Sequence, residues 1–223
     1  PTRSRRSFSR PRLDRSSRDF AAYLQKTLRL RKGDAVAIMM PNLLQYPVAL
    51  FGVLRAGMVV VNVNPQYTAP EVEHQLKDSG AVAIVVLENF AHTLQEVLER
   101  NPTLKPVVIT TEVGDMFPVV KELLTNVVVK YVKHMVPEWK IAGTIGFNAA
   151  LRAGHGQDLD EVLLSHADTA LLQYTGGTTG VAKGAVLTHG NLVANVQQMA
   201  AWLARDLVEG KEVFVCPLPL YHV

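Results

Sequence analysis

Residues 35–63 read AVAIMMPNLLQYPVALFGVLRAGMVVVNV, and this stretch decides the architecture. AVAIMM (35–40) and MVVVNV (58–63) are short, unbroken apolar runs rich in Val and Ile, the pattern of strands buried on both faces. Between them, residues 42–56 are long enough for a helix. Asn42 stands where an N-cap is wanted, and Gly57 where a C′ residue is wanted. That helix is apolar nearly all round and should be buried. Strand, helix, strand in close succession is a βαβ unit, which implies parallel pairing. Gln45, Pro47 and Arg55 interrupt the apolar run from Leu43 to Val61, which argues against a membrane span.

The same alternation continues outward. Further strands are expected at AVAIVVL (81–87), PVVIT (106–110), TALLQY (169–174), GAVLT (184–188) and VFVC (213–216). Helices are expected at 17–30, 69–79, 89–100, 119–135 and 189–205. The fold class is therefore α/β with a largely parallel sheet. Residues 137–167, with scattered Gly, His and charge, read as a loop-rich connector. The chain stops just after a strand, which reads as a truncated domain.

At 48% hydrophobic and 19% charged, the 223 residues have globular composition. The net charge of +3 is local: Arg3, Arg5, Arg6, Arg10, Arg12, Arg15 and Arg18 crowd the first eighteen residues, and Asp14 is the only acid among them. Residues 1–18 are therefore expected to be a disordered basic tail ahead of a partial domain at 19–223. The body beyond is slightly acidic, so a nucleic-acid binder is excluded. Cys216 is the only cysteine, which rules out an intrachain disulfide and fits a reducing compartment. It falls in an expected apolar strand and reads as inert core.

Chemistry concentrates at YTGGTTGVAKG (174–184), which holds four glycines, three threonines and one lysine. Glycine lets backbone amides turn toward a ligand, successive amides form an anion-binding concavity, and Thr hydroxyls add donors. One Lys supplies a mobile point charge suited to phosphate. The alternative is a plain hairpin between TALLQY and GAVLT. A Walker A loop is excluded, because Ala182 precedes Lys183 and Gly184 follows it into a strand rather than a helix.

YTGGTTGVAKGAVLTHGNL (174–192) resembles the phosphate-loop signature of the acyl-adenylate-forming enzymes. MMPNLLQYPVALFGVLRAGMVVVNVNPQYTAPEVEHQLKDSGAVAIVV (39–86) resembles their early core, and PLPLYHV (217–223) their next motif on the acyl-binding side. Residues 19–223 are most similar to the N-terminal part of the bacterial long-chain-fatty-acid–CoA ligases. The resemblance implies the incomplete N-terminal part of the large, AMP-binding domain. It also implies a two-step reaction, in which a fatty carboxylate attacks ATP to give acyl-AMP and coenzyme A then takes the acyl group as a thioester.

On this resemblance Thr175, Gly176, Gly177, Thr178, Thr179 and Gly180 embrace the β- and γ-phosphates, and Lys183 adds charge beside them. Thr175 matches a position near Mg²⁺, and His222 takes a catalytic, substrate-positioning role beside Tyr221. The whole protein would be cytoplasmic, peripheral on the inner membrane and homodimeric. Relatives more often carry Ser at the place of Gly176 and Pro at the place of Ala182, so this loop is softer than most. The fragment alone is expected to be inactive. Another reading is a non-catalytic nucleotide-binding or membrane-docking module.

The remaining histidines, His74, His92, His134, His155, His166 and His189, form no metal-type pair at i+3 or i+4 and are expected in surface or capping roles. Residues 119–135 form an apolar helix with Lys121, Lys130 and Lys133, suited to an anionic membrane surface.

Overall fold

A computed structural model describes residues 9–129, 135–175, 182–203 and 216–222. Seven strands form one sheet: β1 (Ala35–Met39), β2 (Val59–Asn62), β3 (Ala83–Leu87), β4 (Val107–Thr111), β5 (Ile145–Gly146), β6 (Thr169–Thr175) and β7 (Lys183–Thr188). Their order is β5-β4-β3-β1-β2-β6-β7. Every pairing is parallel except that of β6 with β7, which is an antiparallel hairpin. The largely parallel α/β sheet expected from residues 35–63 is therefore present.

Helices cover both faces. On one side lie α1 (Arg10–Ala22), α2 (Gln45–Arg55) and α6 (Phe147–Gly154), which bury Phe20, Tyr46, Val53 and Phe147 against Val36, Ile38, Val60 and Val85. On the other side α3 (Ala69–Ser79) and α4 (Ala91–Arg100) bury Val72, Leu76, Leu94 and Val97 against Ala37, Met39, Val61 and Val86. Alternate residues of each central strand thus feed opposite cores, which is why these strands read as continuous apolar runs. Two more helices, α5 (Val119–Val127) and α7 (His189–Leu203), leave apolar side chains in solvent: Leu123, Leu124 and Val127 on α5, and Val193, Val196, Met199 and Trp202 on α7.

Four local readings change. Helix α1 begins at Arg10, so residues 10–18 are helix rather than disordered tail; residues 1–8 lie outside the described residues. Pro11 occupies the first turn, where a missing N–H costs nothing, and Leu13, Ser17 and Phe20 line one face against the core. Helix α2 begins at Gln45 and not after Asn42, with Pro47 in its first turn. Its other end is as expected: Gly57 has φ +77°, and the Gly57 and Met58 amides donate to Leu54 and Val53, closing a Schellman turn. The connector at 137–167 contains β5 and α6. Cys216 is exposed and outside any strand, so it is not core; residues 213–215 of the expected strand lie outside the described residues.

Candidate functional site

The site gathers at the end of β6. In the β6–β7 hairpin Thr175 pairs with Lys183, Tyr174 with Gly184 and Gln173 with Ala185. Thr175 and Lys183 are exposed side by side on adjacent strands, a hydroxyl beside an ammonium. Gly176, Gly177, Thr178, Thr179 and Gly180, expected to join them, lie outside the described residues. Ligands of open α/β sheets bind beyond the carboxyl ends of the parallel strands, and Thr175 ends one of these.

Helix α3 reaches both sides of this pair. It is a well-defined helix, with a Thr68–Glu71 capping box, Pro70 in the first turn and left-handed Gly80 after the last. The capping bonds hold the Glu71 carboxyl below its ordinary range. From its second turn His74 Nε2 lies 2.8 Å from the Ala182 carbonyl oxygen. A carbonyl only accepts, so Nε2 carries the proton. One turn further on, Asp78 Oδ2 accepts a 2.6 Å hydrogen bond from the Tyr174 hydroxyl. The His74 and Tyr174 rings meet edge to face at 6.3 Å. Burial and the Asp78 carboxylate push the Tyr174 phenol well up, keeping it a neutral donor. Gly184 makes room for this: a Cβ there would stand 3.0 Å from Tyr174 Cζ. His74, expected at the surface or in a cap, thus has a specific partner beside Lys183.

On the opposite face of β6 a buried polar chain runs to the segment that carries His222. Tyr46, Asn62 and Gln173 are all nearly inaccessible. Asn62 Nδ2 donates to Gln173 Oε1 at 3.1 Å, and Gln173 Nε2 donates to the Tyr221 carbonyl at 3.2 Å. The Tyr46 hydroxyl lies 2.7 Å from both Asn62 Oδ1 and the Leu220 carbonyl oxygen. It has one proton for two acceptors. Burial pushes the Tyr46 phenol up, so that proton stays. Asn42 completes the attachment, donating from Nδ2 to the Leu218 carbonyl at 2.8 Å and accepting from the Leu220 amide at 2.7 Å. The residue expected to cap α2 instead ties down residues 218–220.

Between this segment and the sheet lies a cavity of about 410 Å³, lined by Tyr46, Leu50, Asn62, Leu171, Leu220 and His222 among others. Its walls are mostly apolar, with a few polar groups at one end, as in sites for small amphipathic ligands. His222 is exposed at its edge, and its amide donates to the Pro219 carbonyl. The structure thus brings Thr175 and Lys183 together directly, and connects His222's segment to them through Gln173. Tyr46, Asn62, Gln173, His74 and Asp78 were not singled out by sequence. The only available signal was His74 and Asp78 at i, i+4 on one helix face.

The AMP-binding enzyme family matches residues 2–223. Among curated proteins, the long-chain-fatty-acid–CoA ligase of Escherichia coli O157:H7 is 56% identical over 212 residues, covering 95% of this chain and 37% of the relative. Among solved structures, a long-chain-fatty-acid-CoA ligase (FadD1) from Archaeoglobus fulgidus superimposes with TM-score 0.68 at 26% identity, over 94% of this chain and 35% of that one. Mycobacterium smegmatis MbtA superimposes with TM-score 0.70 at 29% identity, over 95% and 34%. The chain spans little more than a third of the length of the curated relatives it matches. With a family match over nearly its whole length, the chain belongs to the AMP-binding enzyme family.

Proposed function

We propose that this chain is the N-terminal part of an ATP-dependent ligase that converts a long-chain fatty acid into its acyl-AMP and then its coenzyme A thioester. The observation that carries the reading is the 56% identity, over 212 residues, to a long-chain-fatty-acid–CoA ligase. In the first step a carboxylate oxygen attacks the α-phosphorus of ATP and pyrophosphate leaves. In the second the thiol sulfur of CoA attacks the acyl carbonyl carbon and AMP leaves. Both phosphoryl chemistry and anion–anion approach depend on charge neutralisation and positioning. Thr175, Gly176, Gly177, Thr178, Thr179 and Gly180 would receive the β- and γ-phosphates, and Lys183 would balance their charge. The Thr175 hydroxyl is a hard oxygen donor of the kind Mg²⁺ accepts, and it is exposed beside the Lys183 ammonium, so the pair suits a metal carried on the nucleotide. Mg²⁺ there would stabilise the pyrophosphate leaving group. His222, at the mouth of the cavity, would orient the carboxylate.

The test is palmitate-dependent release of AMP and loss of CoA thiol by the full-length protein, with ATP and Mg²⁺. Its absence overturns the reading; the 223-residue chain alone is expected to be inactive, and thioester formation above background by that chain would refute this second expectation. A peripheral membrane contact belongs to the same proposal. Leu123, Leu124 and Val127 are exposed on α5, and Lys121 lies on the same helix. No described helix is long and apolar enough to cross a membrane. Such a face suits the surface of an anionic bilayer. Failure to co-sediment with anionic liposomes at low salt removes this contact. A whole protein that binds ATP and liposomes without forming thioester would instead be a docking module, and a homodimer is read by sedimentation velocity.

A further inference from the structure

We propose that His74 and Asp78 on α3 are positioning residues for Thr175 and Lys183, holding the two strands of the β6–β7 hairpin at the places where those side chains emerge. The inference rests on the nucleotide-site reading above. Three independent contacts support it. His74 Nε2 donates to the Ala182 carbonyl at 2.8 Å, one residue before Lys183. Asp78 Oδ2 accepts from the Tyr174 hydroxyl at 2.6 Å, one residue before Thr175. The edge-to-face contact of His74 with Tyr174 joins the two bonds into one unit.

The spacing explains why one helix does both. Residues four apart on a helix lie on the same face, one turn above the other. His74 and Asp78 therefore span the distance between the two strands of the hairpin. Helix α3 is suited to be the reference, because its start is fixed by the Thr68–Glu71 capping box, with Val72 and Leu76 anchored in the core. The hairpin's anchoring at this end is lighter: Tyr174 is buried in that core, and half-buried Ala182 packs against it. Lys183 and Ala185 are exposed, and among the described residues β7 lies at the edge of the sheet. Without the two bonds, the described contacts left at the tip of the strand carrying Lys183 would be the hairpin ladder and the packing of Ala182. A loose hairpin must be ordered when a ligand binds, and that ordering subtracts from affinity. Gly184 belongs to the device, since a Cβ there would meet the Tyr174 ring at 3.0 Å and press on the ring that reaches Asp78.

The unit touches only the nucleotide side. Gln173, the neighbour of Tyr174, faces the other side of β6 and serves the segment carrying His222. Loss of His74 or Asp78 should therefore weaken ATP and spare the fatty acid, which separates positioning from general damage to the fold.

The experiment uses the full-length protein with His74→Ala, His74→Gln, Asp78→Ala and Asp78→Asn. Glutamine retains an N–H donor near the place of Nε2, and asparagine retains an acceptor oxygen. The apparent KM for ATP and the Kd for ATP·Mg²⁺ by calorimetry are expected to rise about two- to ten-fold in each alanine variant, the range that one lost hydrogen bond supplies. They should return to within about two-fold in His74→Gln and Asp78→Asn, while the KM for palmitate stays within about two-fold throughout. Amide exchange of the peptide covering 174–184 should quicken in the alanine variants of the nucleotide-free protein, with β1 and β3 unchanged. Equal ATP affinity in wild type and alanine variants, or parallel changes in the palmitate and ATP constants, overturns the positioning role. So does unaltered exchange at 174–184, which needs no activity to be read. A wild-type protein that binds no ATP overturns the nucleotide-site reading itself, a different result from wild-type binding that the variants share.

Discussion

Tyr46→Phe removes one oxygen atom from the centre of the polar chain and leaves the ring in place, so its cost can be worked from the hydrogen bonds alone. The hydroxyl lies 2.7 Å from Asn62 Oδ1 and 2.7 Å from the Leu220 carbonyl oxygen. Its single proton serves both. The amides cannot flip to compensate. Gln173 Nε2 is fixed by the Tyr221 carbonyl, so Gln173 Oε1 faces Asn62 Nδ2, and Asn62 Oδ1 must face Tyr46. After substitution Asn62 Oδ1 is a buried acceptor with no donor, at a residue only 3% exposed. The Leu220 carbonyl belongs to a residue that is 38% exposed and can turn to water. One orphaned buried acceptor therefore sets the scale, about 1–3 kcal/mol of unfolding free energy. Urea unfolding of Tyr46→Phe, Asn62→Ala and the double variant measures it. In the cycle the two substitutions should couple by at least about 0.5 kcal/mol, since each removes the other's partner. A Tyr46→Phe protein within about 0.3 kcal/mol of wild type, or strictly additive variants, would show that the chain is not held by this bond.

Gly154→Ala should destabilise the protein by about 1–3 kcal/mol, because a Cβ there runs into the Asp19 carbonyl oxygen and forces α6 off α1; a thermal melt unchanged within about 1 °C would contradict that packing. Asp168 accepts from the Ser165 amide and the Lys32 ammonium, in that order of effect, and its carboxyl is held down to about 2 against an ordinary 3.8. A depressed carboxyl gives stability that is present above its unfolded value and lost as pH falls through its folded one. The melting-temperature gap between wild type and Asp168→Asn should therefore be fully open above about pH 4 and close by about pH 2; a pH-independent gap refutes the assignment.

The parallel sheet was readable because its strands serve two cores. Val36 and Ile38 face α2, and Ala37 and Met39 face α3 and α4, so β1 carries no polar residue and its run stands out against the helices. Helix α1 was hidden by its chemistry. Its buried face includes Ser17, and its solvent face holds the arginines that made residues 10–18 look like tail. One of these cations is tied down, since Arg12 donates to the Met116 carbonyl, and the acid among them, Asp14, pairs with Arg55 of α2. The glycine-rich stretch pointed to a candidate site through its resemblance, where composition alone left a plain hairpin open. What holds the site was not readable, because each support joins residues far apart in sequence. Asn42 looks like a helix cap to any local reading, and only the return of residues 218–220 to that place gives it another task. His74 and Asp78 carry the same lesson: their partners lie about a hundred residues away.

Strand β6 is where these supports meet, and its two-residue period keeps them separate. Gln173 faces α2 and joins the chain from Tyr46 to the Tyr221 carbonyl, while Tyr174 faces α3 and joins Asp78. Adjacent residues thus serve opposite sides of the sheet. The two networks share a backbone, and Gln173 Nε2 also donates to the Tyr174 carbonyl at 3.4 Å, a long bond to the main chain and not to the Tyr174 hydroxyl. If the strand is rigid, perturbing one should leave the other intact, and Tyr46→Phe combined with His74→Ala should be additive in unfolding free energy within about 0.5 kcal/mol. Strong coupling between them would mean that β6 itself moves, so that the proposed acyl and nucleotide sides communicate through the strand. Additivity would mean that β6 is a fixed wall with an independent latch on each face, and the packing of its alternate residues into two separate cores favours this second outcome.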